Sequence, residues 1–232
     1  MPGPDVRSES SDEMSRLAEL VITVRALASG ELKTDEVDSA IWSLISELPA
    51  KATWRPTLYQ GAMASLESAH ESEQEYMGRL ESLVGDDSAE GSEIAEIYFD
   101  GLLRTGGFSM AAVILSAATL EAFIFEYASD WRSPSWVDKY LYGLNFVSRW
   151  VVIPELATGK RVVTSAAAHK ELRWLHTARN RLVHAKPKQL KASDITSDLW
   201  VKVDDANRAV ATVGVVVKAL QDLDSAVDTS WL

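Results

Sequence analysis

Residues 108 to 128 read FSMAAVILSAATLEAFIFEYA. Placed on a helix with 3.6 residues per turn, this run is apolar around most of its circumference, the pattern of a helix surrounded by its own chain. It is therefore the expected central helix of a bundle. On its N-terminal side, Ile94, Ile97 and Leu102 carry a helical pattern as far as Gly106-Gly107, where the character changes. Before that, GDDS at 85 to 88 is the expected turn out of a long acidic helix bearing Leu58, Ala62, Leu66, Tyr76, Leu80 and Leu83.

Two further helices are expected nearer the N-terminus. One covers residues 12 to 28, with Leu17, Leu20, Val21, Val24 and Leu27 at three- and four-residue steps and Gly30 as its stop. The other starts at Thr34, with Asp35 and Glu36 in the first turn, and ends at Pro49. On the C-terminal side of the apolar run, Ser133-Pro134 marks a loop, and residues 135 to 153 form an aromatic-rich segment. A helix is expected from Thr164 or Ser165 to a stop at Pro187. The last helix aligns Ala206, Val210, Val213, Val217, Leu220, Asp224 and Val227 on one stripe, and VGVVV at 213 to 217 reads as helix because of that spacing. The fold class is all-α: an acidic helical N-terminal region at 1–85, then a helical bundle at 86–232.

Composition narrows the chemistry. With 232 residues, 47% of them hydrophobic, the chain can bury a sizeable core. It has no cysteine, which excludes disulfides, thiolate metal sites and a cysteine nucleophile. No basic leader precedes an apolar run at the N-terminus, and no stretch of 18 uninterrupted apolar residues occurs, so a cytoplasmic protein without a membrane partner is expected. Of the eight tryptophans six follow residue 130, and packing is the expected use of such large side chains.

The net charge of −11 is unevenly distributed. Residues 1 to 100 hold 7 Lys and Arg against 21 Asp and Glu, whereas residues 101 to 232 hold 16 against 13. Between 160 and 191, nine cations (Lys160, Arg161, Lys170, Arg173, Arg179, Arg181, Lys186, Lys188 and Lys191) face a single acid, Glu171. His169, His176 and His184 share that segment. Such a segment is either a solvated basic helix or a surface for an anionic partner.

Its centre is TARNRLVHAKP, residues 177 to 187. His176 and His184 are eight residues apart with no acid between them, which is no metal-ligand spacing, and neither a phosphate-binding glycine loop nor a G-x-S-x-G elbow occurs in the chain. What remains is a cation beside an imidazole. Asn180 lies one turn from both His176 and His184 on the same face. Arg179 and His184 lie about 140° apart around the axis, so their head groups converge only if the long arginine curls inward or a second copy of the helix completes the site. Imidazole moves protons near neutral pH and guanidinium holds phosphate oxygens. Attack by an RNA 2′-hydroxyl on its own phosphate needs those two functions.

The run Arg179-Asn180-Arg181-Leu182-Val183-His184 resembles the signature of the HEPN superfamily: arginine, a polar residue directly after it, and histidine late in a helix. SAATLEAFIFEYA at 116 to 128 is similar to the apolar upstream helix of many bacterial members, and the likeness spans about residues 90 to 227. The resemblance implies a four- or five-helix bundle that dimerises through the motif helix. It further implies a metal-independent, cofactor-free endoribonuclease of a toxin–antitoxin or antiviral defence system, with an antitoxin or defence protein as a further partner. By that likeness His184 would be the general acid/base, Arg179 the phosphate contact and Asn180 the positioning residue, with Glu121 and His176 in support. RNA would also meet Arg173, Arg181, Lys186 and Lys188, while His169 and Arg173 are expected on the solvated side. Inactive members of the superfamily bind RNA, nucleotides or proteins without cleaving, so a non-catalytic module is the alternative.

Overall fold

The computed structural model describes residues 54–84, 91–163, 166–183 and 201–232. They lie within one compact unit, Ala50–Leu232. Six helices and no strand occur among these residues, so the chain is all-α there, as the periodicity predicts. They are α1 (Arg55–Val84), α2 (Gly91–Trp131), α3 (Pro134–Leu141), α4 (Phe146–Thr158), α5 (Ala167–Val183) and α6 (Val203–Leu223). The helices expected at 12–28 and 34–48, and the GDDS turn, fall outside the described residues.

The apolar run lies in the C-terminal half of α2, which touches all five other helices. Val113, Ala117, Leu120, Phe123, Ile124 and Ala128 are buried along it. By length and composition α2 is long and apolar enough to cross a membrane, but 56% of its most apolar window is buried against its own chain, which is the role the sequence suggests. The helix runs on through Gly106-Gly107, where the character of the sequence changes. Two interior glycines cost about 1 kcal/mol each relative to alanine. Both are buried, next to the point where Thr105 donates to Ser72 of α1 at 3.1 Å, and packing there outweighs the propensity.

Small residues set the contact between α1 and α2. Ala62 and Ala69 of α1 are fully buried. A Cβ on Gly61 would sit 3.4 Å from Leu115, and one on Gly101 would sit 2.2 Å from the Tyr76 ring. These pairs run in opposite senses along the two helices, so α1 and α2 form an antiparallel hairpin. The segment assigned to the acidic N-terminal region thus lines the central helix.

The aromatic-rich segment divides into two helices. Pro134 starts α3 and Val137 and Leu141 bury its inner face. Asn145 caps α4, its side chain accepting from Ser148 N at 2.9 Å. Gly159 ends α4 at φ 69°, a left-handed conformation suited to glycine, with its N–H bonded to the Glu155 carbonyl. In α5, Leu172 and Leu175 are the buried anchors. α6 buries Ala206, Val210, Val213, Val217 and Leu220, so VGVVV is helical. Its expected stripe ends early: Asp224 and Val227 belong to a tail that folds back over the core. Val227 stays buried there, and Trp231 packs edge-on to Tyr59 at 5.7 Å and against Phe123.

Tryptophans of the described residues pack as expected. Trp150 stacks on Phe123 at 5.9 Å, Trp131 meets Trp136 edge-on, and Trp174 lies under the Arg208 guanidinium.

Candidate functional site

α5 presents two different faces. Its anchors Leu172 and Leu175 hold the inner face, so Lys170, Arg173, Thr177 and Arg181, at steps of three and four, all point to solvent. The one acid of the basic segment, Glu171, is held below the ordinary carboxylate range by a bidentate bond to Arg208 of α6, at 2.7 and 3.1 Å. Within α5 the exposed cations therefore stand without an unpaired acid among them.

On the half-buried side, three motif-region side chains bond in series. Arg179 Nη1 donates to Asn180 Oδ1 at 3.1 Å, and Asn180 Nδ2 lies 3.1 Å from His176 Nε2. The direction of this chain fixes the proton. Because the amide oxygen accepts from Arg179, the amide nitrogen is the end that faces His176, and it can only donate. His176 Nε2 must accept, so its ring is neutral with the proton on Nδ1. Burial, and the Arg179 charge after it, both push the His176 pKa below its ordinary value, in agreement with that tautomer. The ring also stacks on Phe146, the first residue of α4, with centroids 5.6 Å apart and an interplanar angle of 11°.

Glu121 of α2 lies within reach of the Arg179 charge. Its Oε1 accepts from Arg149 Nη1 at 2.6 Å. Burial is the dominant influence and raises its pKa; Arg149 and then Arg179 oppose that rise without cancelling it. Arg149 is itself only 7% exposed, whereas the Glu121 side chain is 16% exposed, so a buried cation pairs with a largely buried acid. Its second nitrogen donates to the Tyr142 carbonyl at 2.8 Å, and its guanidinium lies over the Phe125 ring at 4.6 Å. The acid expected in support is thus committed to an arginine of the bundle.

Arg149 and Phe146 were missed from sequence. A signal for Arg149 existed: it is the only charge in FVSRWVVIP, and a lone cation in an apolar helix must find a partner. Phe146 carried none, since its contact with His176 depends on how α4 meets α5.

The sequence-derived residues are thus distributed as follows. Arg179, Asn180 and His176 are joined directly, and Glu121 shares their electrostatic surroundings. Arg173 and Arg181 are exposed. His184, Lys186 and Lys188 lie outside the described residues. His169, expected in solvent, is instead half-buried with its Nδ1 sealed from water, because it lines the seam between α4, α5 and α6. Among the described residues no group of three His, Asp or Glu side chains is placed to hold a metal ion.

No family model matches the chain, and neither the curated proteins nor the solved structures compared with it gave a match.

Proposed function

We propose that this chain is a HEPN-type, metal-independent endoribonuclease acting in a toxin–antitoxin or antiviral defence setting. One observation carries the reading: Arg179, Asn180 and His176 form a bonded series on the helix that also exposes Lys170, Arg173 and Arg181. A cationic outer face suits an RNA backbone, and a fixed guanidinium on the same helix suits the charge that develops on a phosphate under attack.

In the proposed reaction the RNA 2′-oxygen attacks the adjacent phosphorus and loses its proton to a base. The bond from phosphorus to the 5′-oxygen breaks, and that oxygen takes a proton from an acid. The products are a 2′,3′-cyclic phosphate and a 5′-hydroxyl. His184 is assigned the proton transfers and Arg179 the phosphate charge. His176, neutral and bonded through Nε2, is assigned to holding Asn180 rather than to moving protons. Two copies of the motif are assigned to the site, because a five-residue helical spacing would set Arg179 and His184 about 140° apart.

The non-catalytic module is the second reading, and a specific observation favours it. Asn180 already bonds Arg179 through its oxygen and His176 through its nitrogen, so both ends of its amide are engaged within the described residues. Incubation of the protein with labelled RNA in excess chelator separates the two. The nuclease reading expects cyclic-phosphate ends, and it expects His184→Ala to bind RNA and lose about 10²- to 10⁴-fold of the rate. Equal RNA binding by both proteins with no cleavage by either selects the binding module.

A further inference from the structure

Tyr142 closes α3 with its carbonyl tied down and its ring left in solvent. The backbone is still helical there, at φ −57° and ψ −38°, and the carbonyl accepts from Arg149 Nη2 at 2.8 Å. The ring side chain is 60% exposed, although Leu141 before it is buried. It leans on Phe125, with centroids 6.4 Å apart, and on the Arg149 guanidinium at 5.9 Å.

Two routes join this ring to the candidate site. Arg149 bonds Glu121 at 2.6 Å, and Glu121 lies within reach of the Arg179 charge. Phe146, four residues after Tyr142, stacks on His176, which is bonded to Asn180 and through it to Arg179. Tyr140, also exposed, belongs to another face of α3: it lies about 200° from Tyr142 around the axis and leans on Trp136, with centroids 5.1 Å apart.

We propose that the Tyr142 ring stacks an unpaired base of RNA beside the phosphate assigned to Arg179. The proposal rests on the reading of α5 as an RNA-binding helix and narrows the substrate to single strands. A base inside a duplex is covered on both faces by its neighbours, whereas an unpaired base offers a face to an aromatic ring. The pinned backbone limits the freedom lost on binding. Local charge favours stacking over a phosphate contact at this spot, because Asp138 and Lys139, one turn earlier and both exposed, offset one another. The cations of α5 supply the backbone contacts, and Tyr142 supplies a contribution that salt does not screen.

The test measures binding of the full chain to a 2′-O-methyl single strand of about 12 nucleotides, which has no 2′-hydroxyl to attack, and to the matching duplex. Tyr142→Ala keeps the carbonyl that holds Arg149. It is expected to weaken single-strand binding about 5- to 150-fold with an unchanged salt slope. Tyr142→Phe retains the ring and is expected to restore the affinity, and duplex binding is expected to be the same in all three proteins. The proposal is overturned if wild type binds neither strand, if Tyr142→Ala binds the single strand as wild type does, or if Tyr142→Phe is as weak as Tyr142→Ala. It is equally overturned if the loss falls on the duplex as well, or if Tyr142→Ala dissolves a dimer in sedimentation, which would make the ring a contact between copies. The nuclease reading fails separately: wild type that binds through Tyr142 and yet leaves RNA uncut in chelator would overturn the cleavage and uphold the stacked base.

Discussion

Glu121 and Arg149 illustrate how much a single buried pair can hold. Truncating one partner of such a pair leaves the other charge desolvated and uncompensated, at a cost of about 3–5 kcal/mol. Arg149→Met should therefore lower stability by that order in urea unfolding, while Glu121→Gln should cost less, since a neutral amide still accepts from Arg149. Equal and small losses would mean that the two side chains are solvated in practice. His176 makes a pH prediction. Its folded pKa lies below the ordinary value of 6.5, so the unfolded chain binds more protons and the contribution of His176 to stability is lost as pH falls from there. Glu121 and Glu126 act in the opposite sense at lower pH, because burial raises both and their protonated forms favour the fold. Comparison with His176→Gln isolates the histidine: the variant should lose less stability than wild type between pH 7 and 5. Identical slopes would refute the neutral, bonded imidazole. The His176–Asn180 spacing was legible because i and i+4 share a helix face. The proton position was not, since it depends on where Arg179 reaches.

At the scale of elements, glycine positions separate contact from propensity. A methyl at Gly101 meets the root of the Tyr76 side chain, which cannot swing away as a flexible tip can. Gly101→Ala should cost about 1–3 kcal/mol despite alanine's better helix propensity, and Tyr76→Ala in the same chain should recover part of the loss. Gly214, inside α6, has nothing within 4 Å of an added Cβ, so Gly214→Ala should stabilise by up to about 1 kcal/mol. Thermal unfolding of the three variants checks both signs; a stabilised Gly101→Ala would mean that α1 and α2 do not approach as closely as described. The helices were legible wherever apolar spacing was strong, as in α2 and α6. The change of character at Gly106-Gly107 is no helix end, because two glycines carry only a local cost that a long-range contact with α1 overrides. The tail from Asp224 was read as helix for the opposite reason: Val227 keeps the stripe's spacing and its burial after the helix has ended.

For the whole molecule, the proposed nuclease draws each site from two chains. A five-residue helical spacing would set Arg179 and His184 about 140° apart, so in the proposal each site takes Arg179 from one copy and His184 from the other. Either substitution alone then disables both sites of a symmetric dimer. A mixed dimer of one Arg179→Ala chain and one His184→Ala chain behaves differently. One of its sites collects both defects, and the other collects both intact residues. With random re-association half of the dimers are mixed and half of their sites intact, so mixing two inactive proteins should restore about a quarter of the wild-type rate. Co-refolding of the two variants, followed by RNA cleavage in chelator, measures this directly. Recovery near that fraction supports a shared site, and sedimentation should then report a dimer. If each variant alone is inactive and the mixture stays inactive although mixed dimers form, both residues act within one chain, and the geometric case for a two-copy site falls.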